Sequence, residues 1–120
     1  KLGRYSPEQI KGVPEPWVRR YFTRLENGDF QISEFIKSEV IFRRFNLMNP
    51  KFPFRKRFHA IFCRNVMIYF DVETKNNLVE RFYDVMEPGG YLFIGHAEAL
   101  DRTRTRFKYV SPAIYRKDLE

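Results

Sequence analysis

Phe58-His-Ala-Ile-Phe-Cys63, the helical run that opens at Asp71, and Tyr91-Leu-Phe-Ile-Gly95 are the stretches that decide the fold. The first is short and mostly apolar, the composition of a strand buried on both faces. Asp71 is a good N-cap, and Glu73 falls in the first turn, where the helix dipole favours an anion. Leu78, Val79, Phe82, Tyr83 and Met86 then recur at helical spacing. Pro88-Gly89-Gly90 is expected to end that helix, and residues 91–95 read as a second apolar strand. Strand, helix, strand is a βαβ unit, so the two strands should be parallel.

Downstream, residues 107–110 and 113–116 flank Ser111-Pro112 and predict a closing hairpin. Upstream, Glu39 to Phe45 (EVIFRRF) reads as a further strand, leading into Asn46-Leu47. Asn27-Gly28 is the clearest turn, because this pair readily takes the positive φ angles of a tight hairpin. Its flanks, 23–25 and 30–32, are expected to pair. Ser6-Pro7 and Gly12 bracket an expected short helix over 7–11, and a second should begin near Pro16.

Apolar residues make up 43% of the 120, and 13 of the residues are Phe, so the chain can bury a core, which argues against disorder. No apolar run is long enough to span a membrane, and the start does not read as a secretory signal. One cysteine, Cys63, cannot form an internal disulfide, which fits a reducing cytosol. The net charge of +7 gathers at Arg19-Arg20, Arg43-Arg44, Arg55-Lys56-Arg57 and residues 102–106. Such charge attracts nucleic acid, acidic lipid or an acidic protein surface, and an ordinary solvated surface is the competing reading of each cluster.

In an open parallel sheet, ligands bind beyond the carboxyl ends of the strands. Three expected strands end at polar positions: Asn46-Leu47, Arg64-Asn65 after Cys63, and Gly95-His96. These points should share one edge. Val66 to Phe70 follows, an apolar loop that must pack against core or ligand; Met67 and Ile68 suit a core cap, whereas a buried Tyr69 needs a hydroxyl partner. No Gly-x-Gly-x-x-Gly or phosphate loop is present, so a dinucleotide or triphosphate has no cradle. His59 and His96 lie far apart and Cys63 has no companion at ligand spacing, so no metal site is expected. A Cys63–His96 nucleophilic pair is disfavoured, since buried Cys is commonly a small apolar residue.

With those residues laid out, Phe58 to Asp71 (FHAIFCRNVMIYFD) resembles the signature of the CheR-type chemotaxis receptor methyltransferases. The resemblance continues through Met86 to Glu98 (MEPGGYLFIGHAE), and Arg43 to Leu47 resembles the family's strand and adenosyl-binding turn. It implies part of a class I methyltransferase (Rossmann-like) α/β fold: a mostly parallel sheet with a C-terminal antiparallel hairpin and a small β-hairpin insertion. The implied reaction moves a methyl group from S-adenosylmethionine, leaving S-adenosylhomocysteine, to glutamate carboxylates in the cytoplasmic methylation region of chemoreceptors. By resemblance, Asn46, Leu47, Arg64 and Asn65 bind the cofactor and Tyr69 stands at the methyl-transfer site. The expected location is cytoplasmic, without membrane insertion or nucleic acid.

The resemblance also implies that residues 1–120 are the carboxyl-terminal part of the catalytic domain, with a hairpin subdomain at about 20–36. The family's amino-terminal helical domain and its acidic, Gly-rich cofactor loop are not in this sequence. Weak or no cofactor binding by this segment alone is therefore expected, together with dimerisation through an unpaired sheet edge. Family members that bind a receptor's C-terminal pentapeptide carry a run of glycines in the hairpin turn. Leu25-Glu26-Asn27-Gly28-Asp29 has one, which implies independence from that peptide. Two other classes compete: a non-catalytic interaction module derived from this fold, and a nucleic-acid binder suggested only by the pI of 9.7.

Overall fold

The Asn27-Gly28 turn organises the first of two units, Lys1–Phe45, in this computed structural model, which describes residues 2–119. In chain order the unit holds β1 (Arg4–Tyr5), α1 (Glu15–Tyr21), β2 (Phe22–Arg24), β3 (Phe30–Ile32) and α2 (Glu34–Glu39). The three strands form an antiparallel sheet in the order β1-β3-β2, with Phe22 opposite Ile32 and Arg4 opposite Gln31. Leu25 N–H donates to the Asp29 carbonyl at 2.7 Å and Gly28 N–H to the Leu25 carbonyl at 3.0 Å. Of the Asn27-Gly28 pair only Gly28 takes positive φ, at 91°. The loop is thus one residue longer than the tight hairpin that Asn-Gly suggested; a three-residue turn with Gly at its left-handed position suits the strands' twist.

Two expectations fail in this unit. Residues 7–11 form successive turns rather than a helix. The Ser6 hydroxyl accepts from Gln9 N–H at 3.2 Å, but five residues are too few to recover the cost of helix nucleation. The expected strand over 39–45 is absent as well: Glu39 ends α2, and residues 40–46 are neither helix nor strand. Ser33 caps α2 by accepting from Ile36 N–H, so the local signal favours the helix. A strand beyond it would need a ladder partner, and none pairs with it among the described residues.

The second unit, Asn46–Glu120, carries β4 (Phe58–Cys63), a 3-10 turn (Met67–Tyr69), α3 (Val72–Asp84), β5 (Met86–Ile94), β6 (Lys108–Ser111) and β7 (Ile114–Arg116). The sheet order is β4-β5-β7-β6. β4 and β5 are parallel and joined through α3, as a βαβ unit requires, while β5–β7 and β6–β7 are antiparallel. Asp71 caps α3, its carboxylate accepting from Thr74 N–H at 2.8 Å. The Thr74 backbone amide, and then the Thr74 side chain, hold the Asp71 carboxyl below its usual range by hydrogen bonding to it. Leu78, Val79, Phe82 and Tyr83 present one buried face of α3 to Leu92, Ile94 and Tyr115 of the sheet, with Met67 and Phe107 closing the core.

α3 does not run to Pro88-Gly89-Gly90. It ends at Asp84, and Met86 already pairs with Phe58. The Pro-Gly-Gly segment is instead a bulge inside β5: the register jumps from Phe58↔Met86 to Ala60↔Tyr91. Gly89 sits at φ 84°, and a Cβ on Gly90 would stand 3.0 Å from the His59 carbonyl oxygen, so both positions exploit the missing side chain. The helix stops early because another group satisfies its end. Lys117 Nζ, buried, donates to the Tyr83 carbonyl at 2.8 Å and the Met86 carbonyl at 2.9 Å.

β4 also differs from the expected strand buried on both faces. Only Ile61 and Cys63, on the α3 side, pack into the core, while Phe62 is 70% exposed. On the open face Phe62 stacks on Phe93 at 4.5 Å, and Phe93 on Tyr91 at 6.2 Å. α3 covers one face of the parallel pair, and no described element of this unit covers the other. No helix among the described residues is long and apolar enough to cross a membrane.

Candidate functional site

The pairing of Cys63 with Ile94 brings the carboxyl ends of β4 and β5 level. The chain therefore leaves the sheet at adjacent points, as Arg64-Asn65 and as Gly95-His96. Asn65 adopts φ 62°, a left-handed conformation that Asn tolerates better than most residues. It lies hard against Gly95: a Cβ on Gly95 would collide with the Asn65 side-chain oxygen and stand 2.8 Å from Glu98 Oε1. Glycine is required there by close approach.

Glu98 is the residue that sequence reasoning missed. Its carboxylate is 6% exposed and accepts three backbone N–H groups. Gly95 N–H donates at 2.7 Å and Asn65 N–H at 3.0 Å to Oε1, and Ile68 N–H donates at 3.1 Å to Oε2. The available signal was an acidic residue three places beyond a strand-ending glycine. Burial, and then the Glu98 charge, push the Cys63 thiol up to about 11, so Cys63 is an inert core residue rather than a nucleophile.

The apolar segment that follows divides its roles. Met67 is fully buried, and Val66 and Phe70 pack against the core, whereas Ile68 is exposed. Tyr69 is 81% exposed at the end of the 3-10 turn. Its phenol therefore needs no internal partner and is free to meet a ligand.

Arg64, Asn65 and Tyr69 thus gather at one end of the unit. Asn46 and Leu47 are held differently, because the strand expected to carry them does not form. They lie in a turn in which the Asn46 side-chain oxygen accepts from Met48 N–H at 2.9 Å. The Leu47 carbonyl accepts from Arg81 Nη2 at 2.8 Å, and Arg81 stands in the last turn of α3. α3 runs back toward the amino ends of the strands, so this contact ties the turn away from the carboxyl edge.

A crevice of about 190 Å³ opens over the carboxyl end of the exposed face, with Phe62 and Phe93 among its apolar lining and Arg64 and His96 as its polar groups. Small-molecule sites run from about 300 Å³ upward. The residue chemistry suits an adenosyl ligand: flat aromatic surface, a guanidinium and an imidazole. The volume suits only part of such a ligand.

The positive clusters are partly neutralised within the unit. Arg106 bonds Glu80 at 2.7 Å and Asp84 at 2.8 Å, and Arg104 lies 3.5 Å from Glu73. Arg55, Lys56 and Arg57 remain exposed.

Residues 1–115 match the family described as "CheR methyltransferase, SAM binding domain". A chemotaxis protein methyltransferase of Borreliella burgdorferi is 42% identical over 116 residues, which cover 97% of this chain and 41% of that protein. Chemotaxis protein methyltransferase 2 of Vibrio cholerae is 36% identical over 88% of this chain and 37% of its own length. The Escherichia coli chemotaxis protein methyltransferase is 34% identical over 96% and 41%. The chain spans about two fifths of the length of these relatives. With its βαβ core and its Arg64-Asn65 loop beside Gly95, the chain belongs to the CheR methyltransferase family, within the SAM-binding domain.

Proposed function

We propose that the protein containing these residues transfers the methyl group of S-adenosylmethionine to glutamate carboxylates of chemotaxis receptors. The observation that carries this reading is the grouping of Arg64 and Asn65, at the end of β4, with the exposed Tyr69 on the next turn, in a chain of this family. When bound, the cofactor supplies an electrophilic methyl group on a sulfonium. A glutamate side chain, with an ordinary pKa of about 4.3, is already ionised at neutral pH, so the site needs no strong general base. Its residues have to hold the acceptor in line and exclude water. The Tyr69 hydroxyl orients the incoming carboxylate by donating a hydrogen bond, and Arg64 and Asn65 hold the cofactor. By resemblance to the family, Asn46 and Leu47 contact its adenosyl part.

The substrate surface is the acidic methylation region of a receptor's cytoplasmic part, which exposed arginines and lysines would attract over distance. The segment alone should bind S-adenosylhomocysteine weakly or not at all, since its crevice is smaller than the ligand needs. Calorimetric titration of the segment and of the intact protein tests both halves of this statement. In the intact protein, Tyr69→Phe is expected to keep cofactor affinity and lose about tenfold in turnover, the equivalent of one hydrogen bond of about 1.4 kcal/mol. Full turnover in that variant removes the tyrosine from the mechanism.

A further inference from the structure

Among the described residues Glu98 makes no hydrogen bond to the Tyr69 or Arg64 side chain, yet it holds the backbone of the segment that carries them. Its two oxygens accept one amide from each of three places: the end of β5 at Gly95, the loop after β4 at Asn65, and the 3-10 turn at Ile68. Two of these amides lie far from the acid along the chain, Asn65 by 33 positions and Ile68 by 30, while Gly95 is only three positions away. The carboxylate is buried, and Glu98 N–H itself donates to the Gly95 carbonyl at 2.9 Å, which closes a tight turn around the acid. Charge-assisted bonds from amides to a carboxylate are about twice as strong as neutral ones, and their loss leaves buried donors without acceptors. Asn65 is also in a left-handed conformation that the chain would not choose unaided.

We infer that Glu98 is a positioning residue for methyl transfer: its carboxylate fixes the Arg64-Asn65 loop and the turn bearing Tyr69 in the geometry the reaction uses. This rests on the function proposed above. Nothing in the chemistry of the transfer requires this carboxylate, and the inference concerns the precision of the site. An acid of the same length is needed, because an amide offers a single acceptor oxygen and turns a donor toward one of the N–H groups. Shortening by one methylene withdraws both oxygens.

The test is made on the intact protein with Glu98→Gln and Glu98→Asp, and with Leu92→Val as a core variant of reduced stability. Amide hydrogen exchange should accelerate at least about tenfold at one or more of Asn65, Ile68 and Gly95 in Glu98→Gln and at all three in Glu98→Asp, and stay slow in Leu92→Val. Methyl transfer at saturating cofactor and receptor should fall about tenfold or more in the Glu98 variants, with a smaller change in the KM for receptor. Unchanged exchange at the three amides overturns the inference. So does unchanged turnover, or an equal loss of turnover in Leu92→Val, which would make the effect one of general stability. A wild-type protein that neither binds S-adenosylhomocysteine nor transfers methyl groups sinks the functional reading and this inference with it. A wild type that does both while Glu98→Gln matches it sinks the inference alone.

Discussion

Gly95 has no room for a methyl group. Gly95→Ala would drive the new carbon into the Asn65 side chain and the Glu98 carboxylate. Overpacking of this kind costs about 1–3 kcal/mol, and here the displaced atoms belong to the site. The expected result is a lower melting temperature together with at least a tenfold loss of S-adenosylhomocysteine affinity in the intact protein; an unchanged dissociation constant would separate Gly95 from the site. Cys63 gives a second residue-scale prediction. Its thiol is raised from 9.0 to about 11, mainly by burial. A raised folded value means that the stabilising contribution is complete below about pH 9 and is lost as pH climbs toward 11. Alkylation of the native protein should be slow at neutral pH and become rapid in denaturant. Fast native labelling would contradict the burial of this side chain.

At the scale of elements, α3 is held by its apolar face and by both of its ends. Leu78 has no exposed surface, so Leu78→Ala should cost about 2–5 kcal/mol in chemical denaturation. The carboxyl end depends on Lys117, which sits in the C-terminal stretch beyond β7 and caps the helix from a distance. Burial, with help from Arg57 and Arg106, lowers its pKa. Lys117→Met keeps the aliphatic stem and removes both hydrogen bonds, so a loss of about 1–3 kcal/mol is expected by the same measurement. A neutral substitution would show that solvent caps the helix equally well. Sequence patterning identified α3, its cap and its buried face because these are local properties. It misplaced the end of α3 because the acceptors there are satisfied by a lysine more than thirty residues away.

For the whole molecule, residues 40–46 join the two units without helix or strand, and Arg43 and Arg44 are exposed there. Trypsin should cut at these arginines before it cuts at residues 102–106, where Arg104 and Arg106 are paired with the acids of α3. First cleavage within 102–106 would mean that the joining stretch is protected. The free edge of β4 and the exposed Phe62 offer a surface for self-association of the isolated segment. Sedimentation across a concentration series should show a dimer, and a constant monomer mass would count against that pairing.

The amino-acid sequence by itself determined the βαβ unit, the closing hairpin and the positions of Arg64, Asn65 and Tyr69, because apolar periodicity, caps and turn residues act within a few positions of the chain. Only the tertiary structure decided that residues 39–45 stay out of the sheet, that Pro88-Gly89-Gly90 is a bulge, and that Asn46-Leu47 is held by Arg81. A strand exists only if a neighbour completes its hydrogen bonds, and an acceptor is capped by whichever donor the fold brings to it. Glu98 shows the same division. Its acidity and its turn contact with Gly95 are local to the sequence, while its contacts with Asn65 and Ile68 form only when β4 and β5 end side by side.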